Sequence, residues 1–222
     1  MATLYEIHPQ NPQKRTIEQI NDALKRGAVM LYPTDTVYAI GCDLTVKSAV
    51  QKVRQIKQIS NDKPLTFLCS SLSNIADYAI VTDEAYRTIK RLIPGSYTFV
   101  LPATKQVPKL VMSPKRKTTG IRVPDHPVCL AILESLGNPV ISTSAHIKEE
   151  EEPSALIRKI PKNYDKFQLF DALENLVDII VDDGADLDYQ VSTIIDLSAD
   201  DPVLVRRGKG WEAIADWDLP EE

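Results

Sequence analysis

The residues of this chain that could do chemistry are hydroxyls and cations placed at the ends of apolar runs. Thr34, Asp35, Thr36 and Tyr38 follow Pro33, where the strand-like run 28–32 stops. Ser142, Thr143 and Ser144 close a run that starts at Val140, and Ser192 and Thr193 open another. Thr98 follows Pro94-Gly95, Arg122 precedes Val123-Pro124, and Arg206 ends the last apolar run. Lys57 ends a helical repeat, with Lys63 just beyond it. Hydroxyls donate neutral hydrogen bonds to carboxylate and phosphate oxygens, and Lys and Arg add charge where negative charge builds up. Each group also has an ordinary structural use: a Pro-initiated turn for 33–36, a helix C-terminus for Lys57, an ion pair for Arg122.

The common phosphate loops are absent. There is no GxxxxGK[ST], no GxGxxG after a strand and no GxSxG, and Gly208-Lys209-Gly210 is a lone GxG. Charge is uneven instead. Between Glu84 and Asp125 there are nine cations and no carboxylate, so this block carries +9 and the rest of the chain −14 within a net −5. A basic block in an acidic protein points to a local anion site for phosphates, a nucleotide or RNA. Lys115, Arg116 and Lys117 are its densest part.

The elements that must position these groups can be read from periodicity. Apolar residues recur at helical spacing over 14–26 and 46–58, and Gly27 stops the first of these. Thr82 can cap a helix running to about Leu92. Residues 126–136 form another helix, with Pro127 in its first turn and Gly137 after its end. Strands are expected at 4–7, 28–32, 65–69, 96–101, 118–123, 140–144, 177–181, 191–197 and 203–206, and helical pieces between 154 and 176. This alternation, with some consecutive strands, predicts an α/β fold with a mixed sheet. Residues 1–208 read as one domain and 209–222 as an acidic tail, frayed from 216 onward.

Of the 222 residues, 43% are hydrophobic and 26% charged, ordinary globular values. Cys42, Cys69 and Cys129 lie far apart with no CxxC pair, so free buried thiols in a reducing compartment are expected. His8, His126 and His146 are scattered as well, and a His/Cys metal site is not expected. With no signal-like N-terminus and no membrane-length apolar run, a cytoplasmic protein is expected.

The order of the segments carries more than any one of them. The run 32–41 (YPTDTVYAIG), then Lys57 and Lys63-Pro64-Leu65, then Pro94 to Thr98, resemble the YrdC-like threonylcarbamoyl-AMP synthase family. So do Gly120-Ile121-Arg122-Val123-Pro124, Ser142-Thr143-Ser144-Ala145, Ser192-Thr193-Ile194-Ile195-Asp196 and Val205-Arg206. The resemblance runs from about residue 5 to about 208, and the 115–118 and 5–9 segments place it nearest the YciO branch.

The resemblance implies a twisted mixed sheet with flanking helices around a concave, positively lined cavity. It implies a nucleotidyltransferase reaction in which threonine, bicarbonate and ATP give threonylcarbamoyl-AMP and pyrophosphate for tRNA threonylcarbamoyladenosine modification. By the same resemblance Thr34 holds threonine, with Thr36 and Tyr38 shaping its pocket. Lys57 neutralises charge on the phosphates or the carbamate, and Ser142 and Ser144 contact ATP and the acyl-phosphate. Lys63, Thr98, Arg122, Ser192 and Arg206 complete the walls, and Mg²⁺ arrives with the triphosphate. Lys115, Arg116 and Lys117 are candidates for contact with tRNA or double-stranded RNA.

Two positions depart from the family pattern. Ile59 stands where an Arg is expected after Lys57, and His146 where an Asn is expected after Ser144. Losing the Arg deletes a charge and a donor fork. The resemblance therefore leaves three functions open: the synthase itself, a non-catalytic or weakly active RNA-binding relative, and a nucleotide-using enzyme with altered substrate.

Overall fold

The computed structural model describes residues 1–60, 63–145 and 164–221. His146 and the expected helical pieces from 154 to 163 lie outside the described residues. Among the described residues ten strands form one mixed sheet: β1 (Thr3–Glu6), β2 (Met30–Tyr32), β3 (Ala39–Asp43), β4 (Thr66–Leu68), β5 (Tyr97–Pro102), β6 (Thr118–Arg122), β7 (Val140–Ser144), β8 (Ile179–Asp182), β9 (Thr193–Asp196) and β10 (Val203–Arg206). Their order is β1-β8-β2-β3-β7-β4-β6-β5-β9-β10. β8 runs parallel to β1 and β2, β4 to β6, and β5 to β9; the other pairs are antiparallel.

Among the described residues six α-helices flank it: α1 (Lys14–Lys25), α2 (Lys47–Lys57), α3 (Leu72–Tyr78), α4 (Asp83–Leu92), α5 (Pro127–Leu136) and α6 (Lys166–Leu173). Their ends follow local chemistry. Gly27 (φ 97) and Gly137 (φ 75) supply the left-handed backbone after α1 and α5. The Thr82 hydroxyl accepts from the Ala85 N–H at 3.2 Å and caps α4.

Side chains alternate across each strand, and the two faces bury different cores. Leu31, Ile40, Phe67, Phe99, Ile121, Ile141 and Ile180 face α2, α3, α4 and α6, packing against Val53, Ile75, Ile89 and Phe170. Met30, Tyr32, Val140, Ile179 and Val181 face α1 and α5, packing against Ile20, Leu24, Val128 and Ile132. That second helical layer covers β8 and β2 and reaches Ala39 on β3, Leu68 on β4 and Val140 on β7, while no described residue of β6, β5 or β9 joins it. Over β7, β4, β6, β5 and β9 the same face presents Ser142, Ser144, Thr66, Gly120, Arg122, Thr98 and Ile194. A polar, glycine-containing sheet face offers a helix no apolar surface to bury, so this half stays open as a cleft.

Two elements differ from the sequence expectation. No strand is expected over 39–43, yet the end of the 32–41 run turns back into β3, so Pro33 to Tyr38 form the connection of a β2–β3 antiparallel pair. α3 is not expected: its seven residues make about two turns, too short a stretch for a helical period to stand out. Within the acidic segment 209–222, a 3₁₀ helix over Trp211–Trp217 buries Ile214, and the Leu204 N–H donates to Pro220 O at 2.8 Å.

Candidate active-site cleft

The open half-face holds a cleft of about 200 Å³, and eight of the expected site residues line it: Thr34, Thr36, Thr98, Arg122, Ser142, Ser144, Ser192 and Arg206. At its centre the buried Arg122 guanidinium forms an ion pair with Asp35 (Nη2–Oδ1 2.5 Å). Its Nη1 donates to Thr36 Oγ1 at 2.8 Å and its Nε to Gly95 O at 3.2 Å. Thr34 Oγ1 donates to Val37 O at 2.7 Å and accepts from the Thr36 N–H at 3.1 Å. The Ser96 hydroxyl holds the second Asp35 oxygen at 3.2 Å. The 33–37 connection is therefore tied into the cleft wall by its own side chains and by β6.

A second cluster faces it. Thr98 and Ser192 share a hydrogen bond at 2.9 Å, and Arg206 donates from Nε and Nη2 to Ser192 O at 3.0 and 2.8 Å and from Nη2 to Ser192 Oγ at 3.1 Å. Burial, and then the nearby Arg122 charge, lower the Arg206 pKa below the ordinary guanidinium value. Arg122 and Arg206 both line the cleft, Arg122 paired with Asp35 and Arg206 hydrogen-bonded to Ser192. Ser142, Thr143 and Ser144 form the hydroxyl edge on β7, and the Tyr32 phenol is buried beside Ser142, its pKa raised mainly by burial.

The remaining expected residues are placed elsewhere. Tyr38 is buried with its ring edge-on to Phe170 at 5.6 Å, on the side of the connection away from the cleft lining. Burial and the Asp183 carboxylate raise its hydroxyl pKa. Lys57 and Lys63 are not among the side chains lining the cleft; Lys57 is half-buried at the end of α2 and Lys63 is exposed. Arg54, one turn before Lys57, does not compensate for the missing Arg, because it is bound to backbone. Its Nε donates to Leu110 O at 3.0 Å, and Nη1 and Nη2 donate to Ser60 O and Lys63 O at 2.8 Å each. Ile59 does line the cleft, so the substitution from the family pattern puts an apolar side chain on its wall.

Of the basic trio, Lys115 and Lys117 are exposed, while Arg116 pairs with Asp196 and donates to Ser198 Oγ at 3.1 Å. Hydrogen bonds from Ser198 and Arg116 outweigh burial and hold the Asp196 carboxyl below the usual carboxylate range. Thr66 and the Asp35 carboxylate are site groups beyond those expected. Thr66 had no sequence signal, because a Thr in a short strand is ordinary; Asp35 was visible beside Thr34 and Thr36, but its partner was not. Among the described residues no group of three or more His, Cys, Asp or Glu could hold a metal, and the Asp35 carboxylate is engaged by Arg122 and Ser96. The three cysteines are free and buried, as expected. No helix among the described residues is long and apolar enough to cross a membrane.

Known proteins match this fold and sequence. The Sua5/YciO/YrdC family model, described as "Telomere recombination", matches residues 22–208. The chain is 39% identical to the uncharacterized protein YciO of Escherichia coli (strain K12) over 95% of this chain and 97% of that protein. The crystal structure of E. coli YciO superposes with a TM-score of 0.82, at 38% identity over 95% of this chain and 97% of that one. A threonylcarbamoyl-AMP synthase of Vibrio vulnificus (strain YJ016) is 33% identical over 61% of this chain and 74% of that protein. P. abyssi Sua5 complexed with L-threonine shares the fold, with a TM-score of 0.84 at 23% identity over 100% of this chain and 63% of that one. With the family model matching residues 22–208 and 39% identity to YciO over nearly the whole of both chains, the chain belongs to the Sua5/YciO/YrdC family.

Proposed function

We propose that the cleft binds threonine and ATP and forms threonylcarbamoyl-AMP. The observation that carries this reading is the convergence of Thr34, Thr36, Arg122, Ser142, Ser144, Ser192 and Arg206 on one cleft. Relatives named threonylcarbamoyl-AMP synthase in the same family support it. In this reaction the threonine amine adds to bicarbonate with loss of water to give a carbamate. A carbamate oxygen then attacks the α-phosphorus of ATP, the bond to the β-phosphate oxygen breaks, and pyrophosphate leaves. Thr34 and Thr36 hold the amino acid, with the Arg122 charge behind them. Ser142 and Ser144 donate to the nucleotide and acyl-phosphate oxygens, and Arg206 with Ser192 neutralises the anionic side. Lys57 and Lys63 reach the phosphates only if the ends of their flexible stems move toward the cleft. Mg²⁺ enters as part of the ATP substrate, carried by its phosphates and water.

The test is purified protein with ATP, labelled bicarbonate and threonine. Threonine-dependent pyrophosphate release supports the reading. Release that ignores threonine, or none at all, removes it.

One observation favours a second reading, RNA binding. Arg87, Lys90 and Arg91 are exposed on α4, and no salt bridge among the described residues engages them. Lys115 and Lys117 are exposed as well, on a protein whose net charge is −5. Reversing the charge of Arg87, Lys90 and Arg91 together should weaken tRNA or double-stranded RNA binding and flatten its salt dependence. Unchanged affinity would remove this reading.

A further inference from the structure

Gly208-Lys209-Gly210 has a structural use in the crossing of the chain between β10 and β9. The chain leaves β10 and crosses directly over the start of β9. The Lys209 N–H donates to Val191 O at 2.8 Å, the Gly208 N–H to Thr193 Oγ1 at 3.1 Å, and Thr193 Oγ1 to Lys209 O at 3.0 Å. Tyr97 Oη donates to Gly210 O at 2.8 Å. Neither glycine position has room for a side chain. A Cβ on Gly208 would lie 2.4 Å from Val191 O, and one on Gly210 (φ 83) would lie 2.7 Å from Tyr97 Oη.

This close crossing brings Lys209 to the cleft wall. Its ammonium donates to the backbone Asp35 O at 2.7 Å and pairs with Asp188 Oδ2 at 2.5 Å. Asp35 O belongs to the peptide plane whose N–H, that of Thr36, donates to Thr34 Oγ1. Both ends of that plane are thus held, and the side chain that follows, Thr36, accepts from Arg122.

We propose that Lys209 is a positioning residue. It clamps the Asp35–Thr36 peptide so that Thr36 and the Asp35–Arg122 pair stay in cleft-lining geometry, and through Asp188 it ties the 183–191 loop to the same point. The two glycines serve as the buckle that delivers it. The consequence for ligand affinity rests on the proposed function of the cleft; the consequence for the 33–37 connection does not.

The experiment compares wild type with Lys209→Met, Lys209→Arg and Asp188→Asn in the full-length chain. Amide hydrogen exchange is read by mass spectrometry, and threonine binding by calorimetry. Lys209→Met should speed exchange in peptides covering 33–38 and leave α2 and β7 peptides unchanged. Lys209→Arg, which keeps a charged donor, should restore most of the protection, and Asp188→Asn should fall between them. Threonine affinity should drop roughly ten- to a hundredfold in Lys209→Met, the scale of a small misplacement in a binding site. Unchanged exchange at 33–38 in Lys209→Met overturns the proposal, and so does a uniform increase over the whole chain, which marks a general loss of stability. If wild type binds neither threonine nor ATP, the proposed function falls while the exchange data still decide the role of Lys209.

Discussion

Arg122 is both a cleft residue and half of a buried ion pair, and its two roles depend on each other. Alone, a guanidinium at 7% side-chain exposure would be costly to bury; Asp35 at 10% offsets that cost and aims the fork at Thr36. Asp35→Asn removes one partner and leaves the charge in place. Stability should fall by about 3–5 kcal/mol, measured by urea unfolding. Ile59 carries the opposite prediction. It stands on the cleft wall with no charge to offer, so Ile59→Arg should add a charge-assisted contact worth about 1.5–3 kcal/mol. If that contact acts in the transition state, threonine-dependent pyrophosphate release should rise roughly ten- to a hundredfold. Unchanged turnover in a folded variant would show that Ile59 does not limit the rate. The hydroxyls and the two arginines were legible in the sequence because their residue types at strand ends restrict what they can do. The Asp35–Arg122 pair was not, since nothing local in either segment names its partner.

Strands set the site by bringing small residues where backbones and rings must approach. Gly41 pairs with Ser142 on β7, and a Cβ there would lie 2.2 Å from Ile141 O and 2.7 Å from a Tyr32 ring carbon. One obstacle is backbone and cannot rotate away. Gly41→Ala should therefore cost about 1–3 kcal/mol in unfolding free energy and disturb the Tyr32–Ser142 contact. A wild-type midpoint in this variant would contradict the packing. Helix α2 shows the limit of reading elements from period. Its amphipathic repeat was clear, yet Arg54 lies on its buried face, where its guanidinium gathers carbonyls from Leu110, Ser60 and Lys63. Helical spacing marks a residue as facing inward, but it does not say that a cation there will be satisfied by carbonyls from two separate loops.

At the scale of the whole molecule, charge ties distant segments together and makes stability depend on pH. Burial alone would raise the Asp183 pKa; hydrogen bonds from His126 and the Ala185 N–H outweigh it and hold the carboxyl below its ordinary value. Asp196 is held low in the same direction. A carboxylate with a depressed folded pKa contributes stability above its unfolded pKa and loses that contribution as pH falls through the folded one. Stability should thus drop below about pH 4, and Asp183→Asn should flatten that part of the profile in unfolding measured between neutral and acid pH. A variant with an unaltered acid limb would sink this assignment.

The sequence by itself determined the α/β class, most of the strands and helices, and the hydroxyls and arginines of the cleft, because periodicity and residue type are local properties. Only the tertiary structure decided which face of the sheet stays uncovered, that Tyr38 turns into the core, that Arg54 and Arg116 are committed to internal partners, and that Lys209 returns to the Asp35 peptide. Those outcomes depend on strand order and on pairings between segments far apart in the chain. A cation or hydroxyl carries no mark of which distant group will reach it first.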